Sequence, residues 1–305
     1  MNGNQHNYRT CDVPVQGGTM RVGIWGPDEQ HAPTILAVHG VTASHRAWSV
    51  LAALLPGVRI IAPDLRGRGR SNHLPGPYGM PVHADDLADV LERCSAGPVL
   101  VVGHSMGAFV ALVLAHRHPA RVSSLVLIDG GLPLQVAPGL SDEQVVQAVL
   151  GPAAERLKME FASPEEYRDH WRPHPAFAGH WTAGVEDYLD YDLQGEAPHL
   201  KPSTSYAALA EDTADLHRGT SLVSALQELS HEVLFLQAPR GLFDEVPGLY
   251  RDDYVVRCAQ SLPRFDAHLV PDTNHYTIVM DPSGAAVVAG FITDLLAAGS
   301  GTPDA

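Results

Sequence analysis

Between Pro98 and Pro119 the chain reads PVLVVGHSMGAFVALVLAHRHP. The first half is short, β-branched and apolar. The second half is apolar at nearly every position from Met106 to Ala115. A helix with no polar face has to be covered all round, and a continuous apolar strand has to be covered on both faces. Joined by one tight turn, the two fit only at the centre of a layered fold, with the strand inside a sheet and the helix packed on it.

The rest of the chain repeats that alternation. TMRVGIW from Thr19, TILAVHG from Thr34, VRIIAPD from Val58, VSSLVLID from Val122, EVLFLQA from Glu232 and DAHLVP from Asp266 read as buried strands. SHRAWSVLAALLP, HADDLADVLERC and DPSGAAVVAGFITDLLAA read as helices between or after them. This order predicts an α/β fold with a mostly parallel central sheet flanked by helices. Right-handed crossovers bring the C-terminal ends of the strands to one edge, where such sheets carry their sites. The rhythm breaks after Gly131. From Leu132 to Ser230 the helical segments SDEQVVQAVLGPAAERLKM, SPEEYRDHW, VEDYLDYDL, SYAALAEDTADL and SLVSALQEL follow one another without a convincing buried strand. We therefore expect a core domain of residues 1–131 and 231–305, interrupted by a helical insert of 132–230 that carries Trp171, Phe177, Trp181, Tyr188 and Tyr191.

Composition narrows the class. The chain has 305 residues, 45% of them apolar, which is ample for a large core. Its formal net charge of −15 repels nucleic acid and anionic membranes, so neither is an expected partner. No apolar run approaches the ~18 residues that span a bilayer. The opening MNGNQHNYRT shows no secretory pattern. Cys11, Cys94 and Cys258 are far apart in sequence and have no metal-ligand spacing, so reduced thiols and a cytoplasmic location are expected. The 17 histidines are scattered and H-E-x-x-H is absent, so no metal or other cofactor is expected. The tail AAGSGTPDA reads as frayed.

At the centre of the opening segment, GHSMG matches G-x-S-x-G from Gly103 to Gly107. A strand that turns sharply into a helix leaves its serine, Ser105, projecting, and glycines two before and two after avoid side-chain collisions. The backbone N–H of Met106 then lies at a helix start, where spare donors and the dipole favour an oxyanion. A serine so placed is a nucleophile if a base takes its proton.

With the elbow in its strand–helix setting, the sequence resembles the α/β-hydrolase family. LAVHGVTASHRAW is similar to that family's H-G loop, PDLRGRGRS to its D-x-R-G-x-G-x-S loop, and DTNHYTIVMDP to its late histidine loop. These run in the family's order from about Thr34 to Leu296, and the helical insert lies where the family carries its cap. The resemblance implies a second oxyanion donor in the N–H of Val41, after His39-Gly40, and a base in His275, the last histidine of the chain. His104 reads as a neighbour of the nucleophile, His268 as a strand side chain, and Asp64 to Gly67 as a loop former. For the acid the family offers two positions. After EVLFLQA the usual G-x-x-D register falls on Ala238-Pro239-Arg240-Gly241, with Asp244 and Glu245 further on; the other position, at the end of the strand after the nucleophile helix, is Asp129. We expect Asp129 in preference to Asp244.

Ser105, His275, Asp129 and the two N–H donors imply acyl transfer to water with no cofactor. The expected substrate is a small carboxylic ester or lactone, apolar or cyclic, held under the cap by Trp171, Trp181, Tyr188 and Tyr191. A carbon–carbon bond hydrolase of vinylogous diketones uses the same residues, and a non-catalytic hydrolase-like binding protein is the third reading. The sequence is silent on oligomeric state.

Overall fold

The computed structural model describes residues 7–29, 31–135, 139 and 141–299. The expected frayed tail therefore lies largely outside the described residues, as do the first six positions. The strands are β1 Arg9–Val15, β2 Gly18–Trp25, β3 Thr34–Val38, β4 Arg59–Pro63, β5 Val99–His104, β6 Val122–Ile128, β7 Leu193–Gln194, β8 Lys201–Pro202, β9 Val233–Gln237 and β10 Phe265–Leu269. The helices are α1 Ser49–Leu54, α2 Met80–Cys94, α3 Met106–Arg117, α4 Asp142–Arg156, α5 Pro164–Trp171, α6 Ala183–Asp192, α7 Tyr206–Arg218, α8 Ser221–Gln227, α9 Asp252–Ser261, α10 Thr277–Met280 and α11 Pro282–Gly299.

Eight strands form one sheet in the order β1-β2-β4-β3-β5-β6-β9-β10. β1 pairs antiparallel with β2, and β2 antiparallel with β4; every other pairing in that sheet is parallel. β5 lies between β3 and β6 and is buried at every residue. α3 is buried from Met106 through Ala115, with α2 and α8 packed along it. The unbroken apolar run thus sits where the sequence requires it. The strand order reverses at β3 and β5, so the loops after those strands part there and leave a crevice at the sheet's C-terminal edge.

Residues 132–230 leave the sheet between β6 and β9. Of their helices, α4 to α7 start on side-chain caps, whereas α8 does not. Ser141 and Gln144 make a reciprocal capping box, and Ser163, Thr182 and Ser205 each accept a first-turn N–H. The insert also holds a two-residue antiparallel pair, β7 with β8, too short to show as an apolar run. α8, at the end of the insert, buries Leu222, Ala225 and Leu226 in the same apolar cluster as α3.

Two core elements lack the signals that sequence reasoning relies on. β1 is an edge strand whose only buried residue is Val13, and it contains Pro14, which edge strands tolerate. α9 buries only Val255. Cys11 on β1 and Cys94 at the end of α2 are distant in sequence but are neighbours in the fold, and the Cys94 thiol draws the Cys11 thiol below the usual thiol range. All three cysteines are free. Among the described residues no helix is long and apolar enough to cross a membrane.

Candidate active site

The chain leaves β5 at His104 and enters α3 at Met106, with Ser105 alone between them. Ser105 holds φ 55° and ψ −126°, a region that costs a non-glycine residue roughly 1–3 kcal/mol. The surroundings impose that conformation. Ser105 N–H donates to the Ile128 carbonyl at 3.0 Å, which fixes the turn to the end of β6. A Cβ on Gly103 would lie 2.4 Å from the Gly107 carbonyl oxygen, and one on Gly107 would lie 2.0 Å from that of Val38. Both glycines of the motif are therefore required by backbone closeness.

Asp129 follows the last residue of β6 and is also left-handed, with φ 43°. Its N–H donates to the Leu236 carbonyl at 2.8 Å, and Ala238 N–H donates to its Oδ1 at 3.3 Å. Its Oδ2 accepts from His275 Nδ1 at 2.6 Å, and both side chains are buried. His275 stands in the loop between β10 and α10. Asn274 ties that loop down by accepting the N–H groups of Tyr276 and Thr277 on Oδ1 and donating from Nδ2 to Ala176 and Asp244. His104 Nε2 donates to the His275 carbonyl at 2.8 Å. Burial, and then the nearness of His275, hold His104 well below the usual histidine range, so it stays neutral. Asp244 does not reach His275. Its Oδ1 is engaged by Arg240 Nε at 2.8 Å and by Asn274 at 3.0 Å, because the loop after β9 bridges at Arg240 to Asn274.

Val41 follows β3 through His39 and Gly40. Leu65 N–H donates to His39 Nε2 at 2.9 Å, so the neutral ring carries its proton on Nδ1 and donates it to the Gly40 carbonyl at 2.8 Å. Burial lowers His39 to about 4, which keeps this arrangement neutral. Arg68, wholly buried, holds the Val41 peptide from the far side. Its Nε donates to the Val41 carbonyl at 2.9 Å, its Nη1 to the Arg66 carbonyl at 2.9 Å, and its Nη2 lies 3.9 Å from Met106 Sδ. Its counter-ion, Asp212 of α7, is 2.5 Å away and also buried. Burial works against the Asp212 carboxylate, but Arg68 and His83 outweigh it and bring it down to about 2.

The loop former Asp64 is wholly buried as well. It accepts from His45 N–H, His45 Nδ1, Arg70 N–H and Tyr191 Oη within 2.7–2.8 Å. Burial raises its pKa, yet these partners, His45 foremost, leave it below the carboxylate range.

Two adjoining cavities meet at Ser105 and His275. One includes Val41, Met106, Phe109, Leu216 and His217, and the other Thr42, Tyr188, Tyr276 and Met280. Of the four expected pocket aromatics, Tyr188 lines the second cavity, and Trp171 lines a neighbouring one that does not include Ser105 or His275. Trp181 and Tyr191 lie elsewhere. Trp181 Nε1 donates to Glu186 under the guanidinium of Arg172, and Tyr191 faces Asp64 between Arg46 and Arg70. Buried or half-buried polar partners claim both rings. Sequence reasoning missed Arg68, Tyr276 and Leu242, the last of which lines both cavities at Ser105. The signal for Arg68 was an arginine between two glycines in RGRGRS, and that for Tyr276 was adjacency to His275. Leu242 gave none. Among the described residues no group of three or more His, Cys, Asp or Glu could hold a metal ion.

Comparison with known proteins bears on the family and the fold. Residues 33–156 match the family model described as the alpha/beta hydrolase fold. The chain is 42% identical to "Lipase LipV" of Mycobacterium tuberculosis over 116 residues, 38% of this chain, and it spans only 43% of that lipase's length. It is 35% identical over 300 residues to "Putative 2-succinyl-6-hydroxy-2,4-cyclohexadiene-1-carboxylate synthase" of Bacillus subtilis, covering 94% of this chain and 99% of that one. The solved structure of E-2-(acetamidomethylene)succinate hydrolase superposes with a TM-score of 0.75 at 21% identity, covering 95% of this chain and 100% of that one. With its eight-stranded sheet, its serine elbow and a full-length relative at this identity, the chain belongs to the α/β-hydrolase family.

Proposed function

We propose that the chain is a serine hydrolase that cleaves a carboxylic ester or lactone through an acyl-enzyme. His275 donates Nδ1–H to Asp129, which leaves the Nε2 lone pair free to take the Ser105 proton as Oγ attacks the carbonyl carbon. The N–H groups of Val41 and Met106 receive the oxyanion. The imidazolium then returns its proton to the leaving alkoxide, and the ester C–O bond breaks. A water, deprotonated by the same Nε2, attacks the acyl-enzyme, releases the acid and restores Ser105. The carrying observation is the buried 2.6 Å contact between His275 and Asp129 beside a serine held at positive φ.

The test is a fluorophosphonate probe with mass-spectrometric mapping, followed by turnover of p-nitrophenyl esters and lactones. Adduct on Ser105 and hydrolysis lost by at least about a thousandfold in Ser105→Ala are expected. An unlabelled wild-type protein would leave the non-catalytic reading. A second reading is cleavage of a carbon–carbon bond with His275 managing the proton; a full-length relative named a synthase rather than an esterase keeps chemistry other than ester hydrolysis in view. Turnover of a vinylogous diketone with esters untouched would favour it.

A further inference from the structure

The cap carries a buried cation that chemistry at Ser105 does not use. Arg156, on the last turn of α4, is only 4% exposed. Its Nη1 donates to Tyr167 Oη at 2.6 Å and to Asp192 Oδ2 at 3.2 Å. Tyr167 donates its own proton to Asp192 Oδ2 at 2.5 Å, while Asp192 Oδ1 accepts from the N–H and hydroxyl of Ser203. Asp192 is thus filled from behind and engages one nitrogen of the guanidinium. The Nε and Nη2 groups of Arg156 make no hydrogen bond to a described residue. That edge is the planar fork that meets a carboxylate with two parallel bonds.

Arg156 lines a cavity together with His170, Trp171, His174, Phe243 and Tyr276. The Trp171 ring covers one face of the guanidinium at 4.8 Å. His174 Nδ1 accepts from Ala176 N–H, so in the neutral ring the proton sits on Nε2. Burial, with Arg156 second, brings His174 down to about 4, which keeps it a neutral donor. Leu150, Ala153, Leu242 and Tyr276 form a wall common to this cavity and the one at Ser105. Leu150, Ala153 and Arg156 recur every third residue on α4 and so follow one face. From Leu150 to Arg156 that face advances roughly 9 Å, the reach of a short acyl chain.

Resting on the acyl-transfer reading above, we propose that Arg156 and His174 form a carboxylate subsite, so that the preferred substrate is an ester whose acyl chain ends in a second carboxylate. A purely apolar tail would leave the fork dry and unpaired, the situation that gives polar sites their strongest discrimination.

The probes are p-nitrophenyl monoesters of straight-chain C5 to C8 dicarboxylic acids and the same esters with the far carboxyl methylated, with the spontaneous rate measured on Ser105→Ala and subtracted. For the best chain length, kcat/KM of the free acid should exceed that of its methyl-capped twin by about tenfold or more, as a charge-assisted fork allows. In Arg156→Lys, which keeps a positive charge for Asp192 but loses the fork, the ratio of the two should fall towards one. A wild-type ratio near one at every length, with both esters turned over, overturns the subsite and leaves the hydrolase reading intact. If neither ester is cleaved, that reading fails, and binding decides the subsite separately. Adipate should raise the Tm of the wild type and of Ser105→Ala, and no shift in either overturns the proposal.

Discussion

Asp129 occupies a left-handed backbone position, is fully buried and gives one oxygen to His275 and the other to a backbone N–H. Asparagine has the same shape and tolerates that backbone. Asp129→Asn should therefore fold with a near-normal melting temperature while kcat falls on the order of 10⁴-fold, because the amide no longer fixes the imidazole tautomer or balances its charge. Asp244→Asn should stay within about twofold of the parent, since that carboxylate is half exposed, its ion pair is with Arg240, and an asparagine oxygen still accepts from Asn274 Nδ2. Paired steady-state kinetics and melts check both. At this scale the sequence exposed the serine plainly, because the motif and its strand–helix context are local. It left two carboxylates because the choice depends on which strand ends beside the His275 loop. Asp129 reaches it because β6 pairs with β9, which pairs with β10, a relation no local pattern encodes.

Among the elements, α7 has a job that its place in the insert hides. Asp212 neutralises Arg68 and accepts from Gly79 N–H at 2.6 Å, Asp215 accepts from Met80 N–H at 2.7 Å, and Ser205 N–H donates to the Gly67 carbonyl at 2.8 Å. The helix is stitched to the core on charged and backbone groups, and through Arg68 it supports the Val41 peptide. Asp212→Asn leaves the guanidinium buried without a counter-ion, a loss of about 3 kcal/mol, and should lower kcat more than it raises KM. The pH dependence has a definite sign. Asp212 is held near 2 in the folded chain against 3.8 unfolded, so its stabilisation is complete above about pH 4 and disappears as pH falls towards 2. Urea midpoints of parent and variant should therefore converge on acidification across that window. A constant gap would show that the carboxylate's charge contributes nothing. α7 was legible in sequence as a helical segment, but the partners of its acidic residues lie more than a hundred residues away. β1 and α9 were not legible for the opposite reason, since each buries a single side chain and leaves no apolar period.

For the whole molecule, the alternation of apolar strands and helices was legible because burying a central sheet on both faces demands it. What composition alone could not reveal is how the net charge of −15 bears on the site. Acidic surface residues set the long-range field, while Arg156 acts locally from within the cap. A substrate with a second carboxylate meets repulsion on approach and attraction only on arrival. The Debye length shrinks from about 30 Å at 0.01 M salt to about 8 Å at 0.15 M, so added salt removes the distant repulsion while the desolvated fork is screened far less. For the dicarboxylic monoester, kcat/KM should rise by about two- to fivefold over that range. Its methyl-capped twin, which carries no charge, should stay nearly flat and corrects for any salt effect on the chemistry. A fall in the ratio of the two would mean that exposed positive charge near the mouth outweighs the molecule's overall field, and that capture begins outside the cap.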